Sequence, residues 1–208
     1  MPQSVDRAVR GVTFWIAPDY EDVLTWHSMA DMLSFIADHH GLRLDKAGLA
    51  GWRQRWRIRF DGPAGRQSGW TCYLKRFTSP PFSAQWGRWL EGRPFDSTAG
   101  IEWGNARELA KAGIDAVIPI AFGQVMVGPW EKRSFILLAE VQGESLEQWV
   151  PWHLAPSRRE RRWEIRHRRL DQLAELVARL HKAGFVHRDL YLCHIFITTD
   201  GGQDRLTL

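Results

Sequence analysis

Arginine occupies every second position from residue 53 to residue 59, and this alternation restricts the segment to one kind of structure. Successive side chains of a β-strand point to opposite faces, so the pattern predicts a half-buried strand over residues 52–60. A Gly- and Pro-containing stretch (61–69) and a second predicted strand (70–77) complete a β-hairpin with a long loop. The outer face of the first strand carries Arg53, Arg55, Arg57 and Arg59, and the positions between them are mainly apolar: Trp52, Trp56, Ile58 and Phe60, with Gln54 as the exception.

Helical spacing of apolar residues predicts one helix over residues 20–39 and another over 101–112. Residues 79–100 are punctuated by Pro and Gly and are expected to be irregular. Two short apolar runs, 117–122 and 134–141, suit strands.

Pro119 interrupts the first of these apolar runs and favours an edge strand, because proline cannot donate to a sheet ladder. A short helix is expected near 143–150, with Ser145 and Gln148 as its capping pair. After the first helix, the order is therefore strands, a helix, strands and then mostly helices. This order predicts an α+β fold with a sheet-rich first part and a helical second part.

The positive charge is concentrated in residues 157–171, where seven arginines stand against three acidic residues. That surplus of four equals the formal net charge of the whole chain, +4. Ser157 and Glu160 form a capping box that starts a helix, and one helix face carries Arg158, Arg162, Arg166 and Arg169. Two interpretations stay open for this helix and for the arginine strand: a solvated surface, or contact with an anionic substrate or membrane.

The basic helix is predicted to continue as an amphipathic helix that Gly184 ends with a left-handed cap. Its apolar stripe consists of Leu170, Leu173, Leu176, Val177 and Leu180. Two short apolar segments, 195–197 and 206–208, flank Asp200-Gly201-Gly202 and predict a second hairpin.

Composition excludes several classes of protein. Hydrophobic residues make up 44% and charged residues 25%, which is ordinary for a globular domain and excludes disorder and collagen. Cys72 and Cys193 form no CxxC pair, so a zinc ribbon and a disulfide framework are disfavoured. The sequence contains neither a signal-peptide core nor an apolar stretch of about 20 residues, so a cytoplasmic location with free thiols is expected.

Residues 180–197, LHKAGFVHRDLYLCHIFI, are the segment best suited to chemistry. Asp189 lies in a loop between a helix that ends at Gly184 and a strand that begins near Ile195, where a carboxylate can accept a hydroxyl proton. Zinc binding by Cys193 and His194 together with His187 is an alternative, but neighbouring strand residues point to opposite faces and suit one metal poorly.

This segment resembles the catalytic segment of the bacterial lipopolysaccharide core kinases, the WaaP/Kdo kinase family. The family loop HRDxYxCH is matched by six residues: His187, Arg188, Asp189, Tyr191, Cys193 and His194. YLKRF (73–77) resembles the strand that carries the ATP-binding lysine, and GIEWGNARELAKAGIDAVIPIAFG (100–123) resembles the following helix and strand. SFILLAEVQGESLEQWV (134–150) resembles the strand that enters the hinge.

The resemblance implies a protein-kinase-like fold, with a sheet-rich N-lobe (1–139, including a helical extension, 1–40) and a helical, partial C-lobe (140–208). It implies ATP and Mg²⁺ as cofactors. Lys75 would contact the phosphates and pair with Glu102, for which Glu108 is a competing partner. Glu140 and Val141 would lie near the adenine.

The same resemblance places Asp189, with His187 and Arg188, at the reacting hydroxyl of a sugar such as heptose or Kdo. His194 stands where kinases keep a metal-binding Asn, although a hydrogen-bonding role suits it equally. The sequence has neither GxGxxG nor GxxxxGK[ST], which disfavours Rossmann and P-loop proteins. Gly48 and Gly51 are the candidates for a degenerate phosphate turn, and an ordinary turn is the alternative.

In the resembled family a metal-binding Asp follows directly after a strand like 205–208, and this sequence stops at Leu208. The expectation is a fragment, or a natural truncation with weak or absent phosphoryl transfer. The alternative function is accordingly a non-catalytic, kinase-like module that binds nucleotide or docks on a membrane or partner. A related small-molecule or protein kinase is a third reading. The expected partners are ATP and an anionic glycolipid or sugar acceptor, with peripheral contact at the inner face of the cytoplasmic membrane and no nucleic acid.

Overall fold

The computed structural model describes residues 11–37, 41–44, 48, 50–61, 69–153, 159–187, 190–200 and 203–208. The chain forms two compact units. The first unit consists of residues 1–105 and 118–140, and the second of residues 106–117 and 141–208.

The first unit is built on a six-stranded antiparallel sheet. Its strands are β1 (Val12–Ile16), β2 (Leu42–Arg43), β3 (Arg53–Phe60), β4 (Trp70–Thr78), β5 (Pro119–Val127) and β6 (Trp130–Ala139). They lie in the spatial order β1-β5-β6-β4-β3-β2. The predicted hairpin is confirmed, since β3 pairs with β4 along its whole length. The arginines of β3 are exposed, and Ile58 and Phe60 are buried, as the alternation predicts.

One face of this sheet holds the core of the first unit. Ile58 and Phe60 of β3 and Cys72 and Leu74 of β4 belong to a cluster of buried residues, whose other members are Phe14, Leu24, Met29, Phe35, Ile120, Ala121, Phe135 and Leu137. The rings of Phe35 and Phe135 stack with their centroids 4.4 Å apart. Aromatic side chains therefore supply much of the burial that stabilises this unit.

The helix predicted over 20–39 is wrong as one element, because the chain folds into two short helices, α1 (Glu21–Trp26) and α2 (Met32–Ile36). Between them Ser28 has φ = 57°, in the left-handed region. The carboxylate of Asp31 then accepts a hydrogen bond from the backbone N–H of Ser34 and caps a new helix. The break turns both Leu24 and Phe35 into the core, where each is fully buried.

Residues 79–100 are not irregular, because they contain α3 (Phe82–Leu90) and the first turn of α4 (Thr98–Lys111). The buried residues of α3 are polar, Gln85 and Arg88, whereas the aromatic residues Phe82 and Trp86 are exposed. Phe82, Trp86 and Trp89 do recur at helical spacing, but the Pro and Gly residues around them favour an irregular interpretation of this segment.

Pro119 does not mark an edge strand. It is the first residue of β5, and β5 lies between β1 and β6. The pairing with β1 begins only at Ala121, so no partner on that side needs the N–H group that proline lacks. β6 starts at Trp130, four residues before the predicted run.

The second unit combines a three-stranded sheet with helices. The strands are β7 (Glu144–Ser145), β8 (Phe196–Asp200) and β9 (Gln203–Thr207), in the order β7-β8-β9, and the helices are α5 (Leu146–His153) and α6 (Arg159–Lys182). The predicted hairpin of β8 and β9 is confirmed. The core of this unit contains Ile114, Leu146, Trp149, Leu176, Leu180, Ile195, Ile197 and Leu206.

The ends of α5 and α6 agree in part with the capping signals in the sequence. The backbone N–H of Gln148 donates to Ser145 Oγ (3.4 Å) at the start of α5, and Gly184 has φ = 82° just after α6. Leu170, predicted in the apolar stripe, is 55% exposed. Ser157, of the predicted capping box, lies outside the described residues.

The mixture of an antiparallel sheet and helices confirms the predicted α+β class. Within the part of the chain that the structure describes, no helix has both the length and the apolar character to cross a membrane.

Candidate active site

Lys75 and Glu102 form an ion pair that joins β4 to α4. The Nζ atom of Lys75 lies 2.6 Å from Oε2 of Glu102, and the two side chains are 27% and 36% exposed. The competing candidate, Glu108, instead accepts from Lys111 one turn along the same helix, at 2.6 Å. The structure therefore brings Lys75 together with Glu102 and not with Glu108.

A buried ion pair fixes the start of α4, the helix that carries Glu102. Nη1 of Arg88 lies 2.9 Å from Oε2 of Glu131, and both side chains are almost wholly buried. The same Glu131 carboxylate accepts hydrogen bonds from the backbone N–H and the hydroxyl of Thr98, each at 2.9 Å. A carboxylate at the positive end of a helix satisfies free N–H groups and interacts favourably with the helix dipole.

Further hydrogen bonds complete this attachment of α4 to the sheet. Ser134 Oγ donates to Glu131 Oε1 (2.5 Å) and accepts from the backbone N–H of Ala99 (3.3 Å). The side chain of Gln85 accepts from the backbone N–H of Glu131 at 2.9 Å. Glu102 follows one turn later on α4, so its position depends on these groups.

Sequence reasoning missed this network entirely. Its central contact joins Thr98 to Glu131, which are 33 residues apart, and the network includes β6, whose sequence at this point, WEKRS, resembles an ordinary exposed turn. The available signal was a glutamate four residues before the apolar run that begins at Phe135, and it is weak.

Two arginines of β3 line the same small cavity as the ion pair. The residues around this cavity are Arg53, Gln54, Arg55, Lys75, Phe77, Thr98 and Glu102. Arg55 lies directly opposite Lys75 in the antiparallel pairing of β3 with β4. The charges of Lys75 and Glu102 offset each other, so the guanidinium groups give the described lining of this cavity a net positive charge.

Glu140 is the last residue of the first unit, and Val141 is the first residue of the segment that continues the second. The carboxylate of Glu140 accepts from the hydroxyl of Tyr73 (3.2 Å) and lies 3.5 Å from the guanidinium of Arg57. Burial and the neighbouring Glu140 charge raise the pKa of the Tyr73 hydroxyl, although Arg57 opposes them. Val141 is half-buried.

Gly48 and Gly51 lie before β3 and are exposed. Gly48 has φ = 81°, a conformation that glycine adopts without the strain of a side chain. A Cβ atom at either position would meet nothing within 4 Å. Residues 45–47 and 49 lie outside the described part of the chain, so a phosphate turn stays a prediction.

The predicted catalytic loop lies partly outside the described residues, because these do not include Arg188 and Asp189. His187 is exposed, and its ring centroid lies 5.9 Å from that of His194. His194 ends a 3-10 turn, Leu192–His194, and its ring lies 6.0 Å from that of Tyr191. Among the described residues, no three His, Cys, Asp or Glu side chains come together in a way that could hold a metal ion.

Known proteins resemble this chain in sequence and in structure. The profile of the "Lipopolysaccharide kinase (Kdo/WaaP) family" matches residues 92–208. The lipopolysaccharide core heptose(I) kinase WaaP of Escherichia coli strain K12 is 30% identical over 116 residues, which is 53% of this chain and 42% of that protein. WaaP of Pseudomonas aeruginosa is 32% identical over 103 residues, 48% of this chain and 36% of that protein. The matches thus span about two fifths of the length of these relatives.

A solved structure, "WaaP in complex with acyl carrier protein", superposes with a TM-score of 0.66 at 19% identity, covering 94% of this chain and 69% of that one. This likeness confirms the predicted kinase-like fold. The profile match covers more than half of the chain and includes the HRDxYxCH segment from which the resemblance was inferred. The chain belongs to the lipopolysaccharide kinase (Kdo/WaaP) family.

Proposed function

We propose that this protein is an ATP-dependent kinase that transfers the γ-phosphate of ATP to a sugar hydroxyl of the lipopolysaccharide inner core, on heptose or Kdo. The observation that carries this proposal is the 2.6 Å ion pair between Lys75 and Glu102 in a chain of this family. In protein kinases, a strand lysine paired with a helix glutamate must be in place for phosphoryl transfer. The heptose(I) kinase activity named for the E. coli and P. aeruginosa relatives supports the choice of acceptor.

The first unit would bind the nucleotide. Lys75 contacts the α- and β-phosphates, and Glu102 holds the lysine in position. Glu140 and Val141 lie at the adenine, where the chain passes from one unit to the other. Gly48 and Gly51 form the turn over the phosphates.

The loop 187–194 would act on the acceptor. Asp189, with His187 and Arg188 beside it, orients the sugar hydroxyl and takes its proton. The hydroxyl oxygen forms the new bond to the γ-phosphorus while the bond between that phosphorus and the β–γ bridging oxygen breaks. ADP then leaves with the electron pair of the broken bond.

Mg²⁺ requires separate consideration, because it prefers oxygen ligands in near-octahedral geometry. His194, predicted as its ligand, offers a ring nitrogen, and its described neighbour His187 offers another. These donors do not fit Mg²⁺, and we assign no step to the metal at this position. A hydrogen bond from the His194 imidazole to the acceptor or to a phosphate suits its chemistry better.

The partners follow from the same proposal. The acceptor is an anionic glycolipid, so a cytoplasmic enzyme would meet it by peripheral contact with the inner face of the membrane. The exposed side chains of Arg166 and Arg168 on α6 suit such a surface.

Acyl carrier protein is a further candidate partner, because the solved WaaP forms a complex with it. Co-purification with the wild-type protein, and with a variant in which Arg166 and Arg168 are replaced by glutamine, tests this partner.

Transfer of radiolabelled γ-phosphate from ATP to purified core lipopolysaccharide tests the proposal, with the full-length gene product as the enzyme. We expect Asp189→Asn to abolish transfer and Asp19→Asn, at an exposed aspartate of the first unit, to leave it unchanged. Equal transfer by the wild-type protein and the Asp189→Asn variant would contradict the proposal. ATP binding by the wild-type protein without any transfer would instead support the non-catalytic, kinase-like module.

A further inference from the structure

We infer that Arg53 and Arg55 act with Lys75 as a cationic clamp on the phosphate chain of a nucleoside triphosphate. The inference rests on the proposed function, because it names residues that would bind the phosphates of the ATP. It assigns a ligand to the arginine strand, for which the sequence left a solvated surface and an anionic partner as alternatives.

Strand pairing places the two arginines and the lysine on one sheet face. Arg55 pairs with Lys75, and Arg53 pairs with Phe77, across the antiparallel ladder of β3 and β4. Side chains directly opposite each other in such a ladder share a face, with Cβ atoms about 5 Å apart. Both arginines and the lysine line one cavity, together with Glu102.

The charges of this cavity suit a polyanion. Among the described residues that line it, Glu102 is the single carboxylate, and it is already paired with Lys75 at 2.6 Å. The guanidinium groups of Arg53 and Arg55 are therefore in excess. The planar guanidinium fork donates two parallel hydrogen bonds to phosphate oxygens, which a point charge cannot do.

Arg53 is held in place by an aromatic neighbour. Its Cζ atom lies 4.4 Å from the centroid of the Trp52 ring, within the range of a cation–π interaction. A guanidinium that is already ordered loses less conformational entropy when a ligand binds. This arrangement differs from that of a freely solvated surface arginine.

The order of residues along β3 matches the order of groups in a nucleotide. Arg57 lies beside Glu140 and Tyr73, at the proposed adenine end. Arg55 and then Arg53 follow at successive steps of about 7 Å along the strand. A nucleotide whose base lies at Glu140 would extend its phosphates past Lys75 towards Arg55 and Arg53.

This clamp would take over a task that other nucleotide-binding proteins give to backbone N–H groups. In glycine-rich phosphate loops, those groups cradle the phosphates. This sequence contains neither GxGxxG nor GxxxxGK[ST], and two arginines stand at the start of the strand that follows Gly48 and Gly51. Side-chain cations would here supply the attraction that the backbone supplies elsewhere.

Calorimetric titration of the full-length protein with ATP and with adenosine tests the clamp. Arg53→Gln and Arg55→Gln are each expected to weaken ATP binding about tenfold, as is typical for loss of a charge-assisted hydrogen bond, and to leave adenosine binding unchanged. Arg59→Gln is the matched control. Arg59 is exposed on the same strand face but lies opposite Thr71 and outside the cavity lining, so ATP affinity should hold. Arg55→Lys, which keeps the charge but loses the fork, should fall between the wild type and Arg55→Gln.

The outcomes separate the clamp from the proposed function. Wild-type ATP affinity in both glutamine variants, or an equal loss in Arg59→Gln, would overturn the clamp and leave the kinase proposal standing. Equal losses for ATP and adenosine would also overturn it, since adenosine has no phosphates. A wild-type protein that binds no ATP would overturn both proposals. Thermal unfolding of each variant shows whether a loss of affinity reflects a loss of fold.

Discussion

Lys75 on β4 and Glu102 on α4 meet at 2.6 Å, although the two residues are 27 positions apart in the chain. The contact requires α4 to begin where the sheet can hold it, and the buried pair of Arg88 and Glu131 provides that attachment. Activity and stability should therefore depend on different groups: activity on the partly exposed Glu102, and stability on the buried network that holds the first turn of α4.

Glu102→Gln removes the negative charge that holds Lys75. We expect kcat/KM for phosphoryl transfer to fall by about 10²-fold, as for a misplaced binding group, while the free energy of unfolding changes by less than about 1 kcal/mol because the pair is partly exposed. Glu108→Gln is the control, since Glu108 forms an equally short pair with Lys111 on the solvent side of α4. Kinase assays and urea unfolding of both variants measure the two quantities. Equal loss of activity in the two variants would argue against a special role for Glu102.

Glu131→Gln should affect stability much more than Glu102→Gln does. It leaves the buried guanidinium of Arg88 without its counter-ion, which typically costs about 3–5 kcal/mol. Urea unfolding gives the free energy, and hydrogen exchange should show lost protection at the first turn of α4, where Thr98 now donates to Glu131. The double variant Arg88→Met/Glu131→Gln should be less destabilised than Glu131→Gln, because it buries no unpaired charge and keeps an oxygen that accepts from Thr98. A change below about 1 kcal/mol in Glu131→Gln would contradict the proposed attachment of α4.

Asp204 should make the stability of the protein depend on pH. Burial would raise its pKa, but hydrogen bonds from Thr199 and Arg169, with the charges of Arg169 and Arg168, lower it below the ordinary value. A carboxyl group whose pKa is lowered by folding stabilises the protein above the unfolded pKa of about 4, and this contribution is lost as the pH falls through the folded pKa.

Asp204→Asn should accordingly be less stable than wild type by about 1.5–3 kcal/mol at pH 7, the range for a hydrogen bond to a charged group. The difference should shrink as the pH falls below about 4, because the wild-type carboxyl then becomes neutral as well. Thermal unfolding from pH 7 to pH 3 measures this. Asp19→Asn, at an exposed site, should follow wild type throughout. A constant difference at every pH would exclude the ionised carboxylate as the cause.

The two cysteines should differ in reactivity. Cys72 is fully buried, and burial, together with the charge of Glu140, raises the pKa of its thiol far above the usual range. Cys193 is only partly buried. Because the thiolate is the reactive form, iodoacetamide should modify Cys193 alone in the folded protein and Cys72 only after unfolding. Mass spectrometry of digested samples identifies the modified residue, and rapid native labelling of Cys72 would contradict its burial.

The sequence signals succeeded where local pattern and burial coincide. The alternation of β3 predicted its exposed arginines and buried Ile58 and Phe60 because a two-sided strand needs only its own residues to show the pattern. The resemblance likewise placed Glu102 opposite Lys75, and the structure joins them.

The failures concern features that depend on distant residues. Polar Gln85 and Arg88 are buried in α3 because Glu131 of β6 lies beside them, and no local pattern reveals that partner. The break between α1 and α2 serves tertiary packing of Leu24 and Phe35, which overrides a continuous helical pattern. Arg169, predicted on an exposed basic face, instead binds Asp204 and lies 4.8 Å over the ring of Trp149.

Phosphoryl transfer by Lys75→Met, compared with Lys111→Met, tests the central claim most directly. Both substitutions remove a lysine that forms a 2.6 Å ion pair with a glutamate of α4, but Lys111 lies on the exposed side of the helix. With radiolabelled ATP and core lipopolysaccharide, we predict that the wild-type protein and Lys111→Met label the sugar and that Lys75→Met does not. Equal labelling by all three proteins would contradict the assignment of Lys75 to the phosphates.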